Sequence, residues 1–226
     1  MIIHPEIHAG LARERTSVLL AEAEGARRAR QLRRPARGRG RGRPVRLRDG
    51  SAVLIRPVRP ADDGLLAEGF ARLSDRSRRM RFLGPKEALS AAELRFFTDV
   101  DHRDHEALGA VDHVRGGGVG IARYVRDRED PHTAEIAVTV IDDWQGRGLG
   151  TELLARLSER ACQEGISRFT AAVAADNAAM ARLVRSFGGD LMRREFGTLE
   201  YEMALACAPG RRARSRGNAP GREALS

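Results

Sequence analysis

The sequence has few of the features that mark secreted or membrane-spanning proteins. It contains two cysteines in 226 residues, Cys162 and Cys207, and two isolated cysteines make no disulfide framework. We therefore expect both to be reduced thiols in a cytoplasmic protein. No apolar run approaches the roughly 18 residues that a transmembrane helix needs, and residues 1–10 lack the basic patch and apolar core of a secretory signal. No association with a membrane is expected.

Lysine is almost absent as well, since Lys86 is the only lysine among 40 basic residues. Arginine is concentrated at both ends, with 13 Arg and 4 Glu in residues 1–48 and 5 Arg and 1 Glu in residues 209–226. The chain is +9 overall, so residues 49–208 carry a net charge of −4. The arginine–glycine run at 37–43 would attract phosphate, but it has no interleaved aromatic residue on which bases stack. We interpret it as a flexible linker, and nucleic acid is not an expected partner.

The chain divides into three predicted parts. Residues 1–48 form a basic extension, in which a thin apolar stripe at 6–34 predicts a helix. Residues 49–208 form the folded domain, and residues 209–226 form a disordered basic tail. Within the domain, helices are predicted at 61–73, 74–84, 90–100, 148–164 and 176–188, and strands at 51–59, 105–113, 118–126, 133–141, 168–173 and in a closing hairpin. This order, β-α-α-α-β-β-β-α-β-α-β-β, predicts an α/β (α+β) domain with a mixed sheet.

Three glycines in five positions, Gly146, Gly148 and Gly150, lie between a predicted strand and a predicted helix. Glycine is costly in ordered backbone, so the cluster indicates that something approaches the main chain closely. The first N–H groups of a helix have no partner within it, and the helix dipole adds positive potential there, so the junction suits a phosphate. The spacing matches neither the dinucleotide fingerprint nor the ATP-binding loop. From spacing alone, a plain glycine-rich turn is the alternative.

The segment Gln145-Gly146-Arg147-Gly148-Leu149-Gly150 resembles the Gln/Arg-x-x-Gly-x-Gly/Ala acetyl-CoA signature of the GNAT N-acetyltransferases. "AADNAAMARLVRSFGG" (174–189) is similar to the second coenzyme-A segment of that family. Within the family, "LSDRSRRMRFLGP", "LRFFTDVDHRDHEALGAV" and "RYVRDREDPHTAEIAVTVIDDWQGRGLG" look most like the bacterial Pat-like branch of protein-lysine acetyltransferases. The resemblance covers residues 51–205. It implies a GNAT fold, with a mixed, mostly antiparallel, splayed sheet flanked by helices and flexible basic N- and C-terminal extensions.

The resemblance also implies acetyl-CoA as co-substrate and a set of site residues. The residues implied to contact acetyl-CoA are Val138, Val140, Gln145, Gly146, Arg147, Gly148, Leu149, Gly150, Thr151 and Asn177. Val138 or a near neighbour would stabilise the oxyanion through its main-chain N–H. Glu135 is the one acidic residue of the apolar strand "AEIAVTV" and is the implied general base. The alternative for Glu135 is a glutamate that faces water or pairs with an arginine such as Arg123.

Some positions depart from the family or invite other readings. Many GNAT enzymes have a tyrosine seven residues after the asparagine of the second segment, where this chain has Val184. We therefore expect water to protonate the departing thiolate, or the thiolate to leave unaided; Tyr124 and Tyr201 are alternatives that the sequence does not place. The segment "DHRDHE" (101–106) suggests a metal, but no further ligand pair is visible and no metal is expected. Trp144 is expected to pack beside the glycine loop.

These observations predict an acetyl-CoA-dependent N-acetyltransferase that modifies a lysine of a protein. Two alternatives stay open. One is the same chemistry on a small amine or an antibiotic. The other is a non-catalytic acetyl-CoA-binding module whose basic arm docks on nucleic acid or an acidic protein. The sequence does not indicate the oligomeric state.

Overall fold

A computed structural model describes residues 44–207 of the chain. The helix predicted at 6–34, the arginine–glycine run at 37–43 and the basic tail from 209 lie outside the described residues. The strands, in chain order, are β1 Pro44–Arg46, β2 Ala52–Pro57, β3 His105–Asp112, β4 Gly118–Arg126, β5 Thr133–Val140, β6 Arg168–Ala174, β7 Asp190–Glu195 and β8 Thr198–Ala204. The helices are α1 Asp63–Ala71, α2 Asp75–Phe82, α3 Ala91–Thr98, α4 Leu149–Gln163 and α5 Ala178–Ser186, with short 3-10 turns at Pro60–Asp62 and Asp142–Trp144.

The strands form one sheet in the order β1-β2-β3-β4-β5-β6-β8-β7. Neighbouring strands are antiparallel except β5 and β6, which are parallel. The predicted mixed, mostly antiparallel sheet is confirmed. The predicted strands and helices of the domain all form, but β1 was not predicted. It pairs with β2 and lies inside the segment interpreted as an extension.

The parallel pair is short, and this opens the sheet. β5 and β6 pair only over Thr133–Glu135 and Arg168–Thr170. Beyond Glu135, β5 stays paired with β4 as far as Val140, and β6 stays paired with β8 along its whole length. The two strands therefore diverge while each keeps a hydrogen-bonded neighbour on its outer side.

Helices cover both faces of the sheet. Leu153, Leu154 and Leu157 of α4 are fully buried against one face. A Cβ at Gly120 of β4 would lie 3.2 Å from side-chain atoms of both Leu149 and Leu153, so α4 sits directly on this strand. Successive residues of a strand point to opposite faces, and helices α1–α3 cover the other face. The absence of a side chain at Gly120 therefore sets how closely the start of α4 approaches the sheet.

The two cysteines are not free thiols. Cys162 of α4 and Cys207, just past β8, form a disulfide with an S–S distance of 2.04 Å. The expectation of two reduced thiols is therefore wrong. The partners are 45 residues apart in sequence, but β8 runs beside β6 and carries Cys207 back to the end of α4. The expectation of a cytoplasmic location loses the support that reduced cysteines would have given it.

Within residues 44–207, no helix is both long enough and apolar enough to cross a membrane.

The close packing of α4 on β4 makes a testable prediction. Gly120→Val places a branched side chain where a Cβ alone would already lie 3.2 Å from Leu149 and Leu153. We therefore expect the free energy of unfolding to fall by about 1–3 kcal/mol. The matched control is Gly64→Val in α1, where an added Cβ meets nothing within 4 Å. We expect the control to stay within about 0.5 kcal/mol of the unmodified protein. Urea denaturation of both variants measures the difference, and equal effects would contradict the packing account.

Candidate active site

The divergence of β5 from β6 opens a cleft of about 860 Å³. This volume is within the range of small-molecule and cofactor sites. The cleft is lined by parts of α2, α3, β4, β5 and β6, by the glycine loop, by the start of α4 and by one face of α5. The site residues predicted from sequence that line it are Glu135, Val138, Val140, Gln145, Gly146, Gly148, Leu149, Gly150, Thr151 and Asn177. The fold thus brings together every site residue predicted from sequence except Arg147. Their contacts with acetyl-CoA stay predictions.

The three glycines of the loop meet different constraints. Gly146 and Gly148 have φ angles of +75° and +91°, in the left-handed region that favours glycine. Gly150 lies inside the first turn of α4, where an added Cβ would be 3.4 Å from Leu183 of α5. Two glycines therefore allow the backbone to turn, and the third allows two helices to approach each other.

The start of α4 presents unpaired N–H groups to the cleft. Its N-cap, Gly148, offers no side-chain hydrogen bond, and the first helical bond runs from the N–H of Glu152 to the carbonyl of Gly148. The N–H groups of Leu149, Gly150 and Thr151 precede that bond, and all three residues line the cleft. With the helix dipole, they form a site suited to a phosphate.

The loop is held in place by its own side chains. Nε2 of Gln145 donates to the carbonyl of Val140 at 3.1 Å, which ties the loop to the end of β5. Trp144 is 8% exposed, so its predicted packing beside the loop is confirmed. The guanidinium of Arg147 lies 4.9 Å from the Trp144 ring and forms an ion pair of 2.9 Å with Asp49. Arg147 is therefore turned away from the cleft that the other predicted residues line.

Arg48, and not Arg147, is the arginine whose side chain lies in the cleft beside the glycine loop. Its backbone N–H donates to the carbonyl of Arg147 at 3.2 Å, its side chain lines the cleft, and its Nε would lie 3.3 Å from a Cβ at Gly148. Arg48 was not among the predicted site residues, because residues 1–48 are interpreted from the sequence as an extension. The Asp49-Gly50 pair that follows is a hairpin signal that would have placed Arg48 in the domain.

Glu135 stands where the two strands part. It is half-buried, lines the cleft, and is the last residue of β5 paired with β6. The alternative partner, Arg123, instead contacts Nε2 of His105 and the carbonyl of Phe97, each at 3.2 Å. Within the described part of the chain Glu135 makes no ion pair, although its charge acts on the nearby Arg81, and its side chain lines the cleft.

No tyrosine is placed to donate a proton in the cleft. Val184 is fully buried. The hydroxyl of Tyr124 donates to the carbonyl of Arg103 at 3.0 Å, and burial, together with the charge of Glu106, raises the pKa of Tyr124. The hydroxyl of Tyr201 accepts a hydrogen bond of 2.9 Å from Arg185. Both tyrosines are buried outside the residues that line the cleft.

The "DHRDHE" segment builds a charge network around a buried carboxylate. Glu106 is fully buried, and its oxygens contact Nδ1 of His102 at 2.6 Å and Nε of Arg160 at 3.1 Å. His105 contacts Arg123 instead. Among residues 44–207 no group of three or more His, Cys, Asp or Glu could hold a metal ion.

Asn177 caps α5 at the opposite wall of the cleft. Its Oδ1 accepts a hydrogen bond of 3.0 Å from the N–H of Met180, the usual contact of an N-cap residue. Its side chain therefore orients the start of α5, the helix that packs through Leu183 against the first turn of α4.

Known proteins share this domain. The family profile described as the acetyltransferase (GNAT) domain matches residues 52–190. The acetyltransferase Pat of Mycolicibacterium smegmatis is 32% identical over 160 residues, which cover 71% of this chain and 48% of that protein. An acetyltransferase of Pseudomonas aeruginosa is 37% identical over 144 residues, covering 63% of this chain and 77% of that protein. The crystal structure of the GNAT domain of S. lividans PAT superposes with a TM-score of 0.69 at 31% identity, covering 76% of this chain and 100% of that one.

The position of Arg48 makes a testable prediction. Arg48→Ala removes the positive charge beside Gly148, so we expect the Kd for coenzyme A to rise by about tenfold, as for one charge-assisted hydrogen bond at a partly exposed site. The matched control is Arg46→Ala, an exposed arginine of β1 that does not line the cleft, and its Kd should be unchanged. Titration calorimetry measures both. Equal Kd values for the two variants would show that Arg48 does not contact the ligand.

Proposed function

The chain belongs to the GNAT acetyltransferase family, and on that premise we propose that it acetylates the side-chain amine of a lysine in a protein, with Glu135 as the general base. Its fold is the GNAT fold, its resemblance to the Pat-like branch is confirmed, and enzymes of this family use acetyl-CoA. The observation that carries the proposal is the placement of Glu135 where the strands diverge, in the same cleft as the phosphate-type site at the start of α4.

Two ends of the cleft suit the two ends of acetyl-CoA. The free N–H groups of Leu149, Gly150 and Thr151, with Arg48 beside them, are suited to the diphosphate. The strand β5 leads from this end to Glu135, so the pantetheine arm would lie along the open edge of β5. This orientation puts the thioester near Glu135.

The reaction needs a base and a donor for the oxyanion. The acceptor reaches the cleft as an ammonium without a lone pair, and the Glu135 carboxylate takes its proton. The amine nitrogen then bonds to the thioester carbon, and the carbonyl oxygen becomes an oxyanion. Beyond Glu135, the edge of β5 that faces β6 is no longer paired with that strand. A main-chain N–H at or near Val138 is therefore suited to stabilise the negative charge of the oxyanion. The C–S bond breaks, the nitrogen loses its second proton to solvent, and the thiolate takes a proton from water.

The protein-lysine acceptor is supported by likeness to the Pat-like branch. The chain spans about half the length of the M. smegmatis relative, so the acceptors of that whole protein are not transferred to this one. Mass spectrometry of a cell extract incubated with the enzyme and labelled acetyl-CoA tests the acceptor class. New acetyl-lysines in proteins would support the proposal, whereas label only in small amines would contradict it.

The role of Glu135 makes a testable prediction. Glu135→Gln removes the base while keeping the size of the side chain, so we expect kcat to fall by about 10²–10⁴-fold. The Kd for acetyl-CoA should change little, because Glu135 lies far from the phosphate end. The matched control is Glu159→Gln on the exposed side of α4, which should keep its turnover. Unchanged turnover in Glu135→Gln would remove Glu135 from the role of base.

A further inference from the structure

Two arginines stand at the Glu135 end of the cleft. Arg81 of α2 and Arg123 of β4 both line the cleft together with Glu135. Both also line a smaller cavity of about 90 Å³ between the sheet and helices α1–α3. Arg123 is 5% exposed, and Arg81 is half-buried. Two positive charges therefore lie where the cleft meets the apolar interior.

The two guanidinium groups share one nearby carboxylate, that of Glu135, whose charge acts on Arg81 without forming an ion pair. Arg123 is held by Nε2 of His105 and the carbonyl of Phe97, with its guanidinium carbon 4.2 Å from the Phe97 ring. The guanidinium of Arg81 lies 5.0 Å from the ring of Phe82. Within residues 44–207 neither arginine makes an ion pair, whereas Arg56, elsewhere in the lining of the smaller cavity, is paired with Asp62 at 2.6 Å.

The surroundings of the pair are unfavourable for positive charge. Burial lowers the pKa of Arg123, and the nearby charge of Arg81 lowers it further. Burial also lowers the pKa of Arg81, while the negative charge of Glu135 acts in the opposite direction. Arginine stays protonated in proteins, so both charges persist in a poorly solvated place. An anion that enters from the cleft would stabilise them.

The diphosphate of acetyl-CoA is not suited to be that anion. The phosphate-type site lies past Val140, five residues beyond Glu135 along β5, or about 17 Å in an extended strand. Arg123 itself lies opposite Ala137, three residues or about 10 Å before Val140, and its guanidinium contacts His105 and Phe97 and not the glycine loop. Besides Glu135, the acceptor, which must reach this end of the cleft, is therefore the better suited source of negative charge.

We propose that Arg81 and Arg123 bind a carboxylate beside the target amine, so that the enzyme selects a lysine with an acidic neighbour. The inference rests on the proposed function and names its substrate class. A lone lysine ammonium would be repelled by two guanidinium groups. A neighbouring carboxylate offsets this repulsion and accepts charge-assisted hydrogen bonds, for which the planar guanidinium is well shaped.

The test compares peptides with blocked ends that differ only beside the lysine, carrying Glu in one and Gln in the other. With the full-length protein we expect the Glu peptide to have a kcat/KM about tenfold higher, as for one charge-assisted contact. Nα-acetyl-lysine and its amide form a second pair, which reports whether a free carboxylate is recognised equally well. If the tenfold preference for a carboxylate appeared only in this second pair, the proposal that the enzyme recognises an acidic side chain beside the lysine would be overturned.

The variants separate recognition from structure. Arg81→Gln should bring the Glu/Gln ratio of kcat/KM to about one, whatever its effect on the Gln peptide, and Arg81→Lys should restore part of the ratio. The control is Arg79→Gln, an exposed arginine of the same helix, which should keep the full ratio. Arg123→Lys provides a second variant that keeps the buried charge. A merely structural role would lower both peptides equally and leave the ratio intact.

Binding distinguishes failure of this inference from failure of the proposed function. Calorimetry with coenzyme A in place of acetyl-CoA measures peptide affinity without any transfer. If no lysine peptide is acetylated but the Glu peptide still binds more tightly through Arg81, the proposed function fails and the anion site stands. If both peptides are acetylated and bound equally well, the anion site is overturned and the function stands.

Discussion

The early end of the β5–β6 ladder is the constraint on which the site depends. A buried strand must satisfy its backbone groups, and here each strand does so mainly through its outer neighbour, β4 for β5 and β8 for β6. The inner edges are thereby free to separate after Glu135. Because β5 and β6 are parallel, the helices that follow them begin at the same end of the opening, and the first turn of α4 packs against Leu183 of α5. A ladder that continued to Val140 would close the space that the cofactor needs.

The opening also separates two kinds of charge along one strand. At one end, helix N–H groups and Arg48 provide positive potential on a partly exposed surface, where a phosphate exchanges water for backbone donors. At the other end Glu135 stands among Arg81 and Arg123 in a more apolar place, where each charge interacts more strongly with its neighbours because less water screens it. The first arrangement is suited to hold a ligand and the second to act on it. The length of β5 keeps the two apart.

Periodicity and glycine stops were sufficient to predict every strand and helix of the domain except β1, and the loop motif identified the family. What the sequence did not indicate depends on contacts between distant segments. The disulfide joins residues that only the β6–β8 pairing brings together. Arg147 was expected in the cleft, but Asp49 and the Trp144 ring hold its side chain elsewhere. Arg48 was hidden in a long arginine-rich segment, where one functional arginine resembles all the others.

The missing tyrosine follows from how α5 is packed. Val184 is fully buried, and a Cβ at Gly189 would lie only 2.4 Å from its side chain and 2.9 Å from Met203. This position therefore faces the interior between α5 and the sheet, and a tyrosine would have no space there without displacing β8. One face of α5, with Asn177, Met180 and Leu183, lines the cleft, while Ala181 and Val184 on the other face are buried in the core. Under the proposed mechanism the departing thiolate takes its proton from water, which an open cleft between diverging strands admits. The same divergence that makes room for the cofactor would thus also provide the proton that the absent side chain cannot supply.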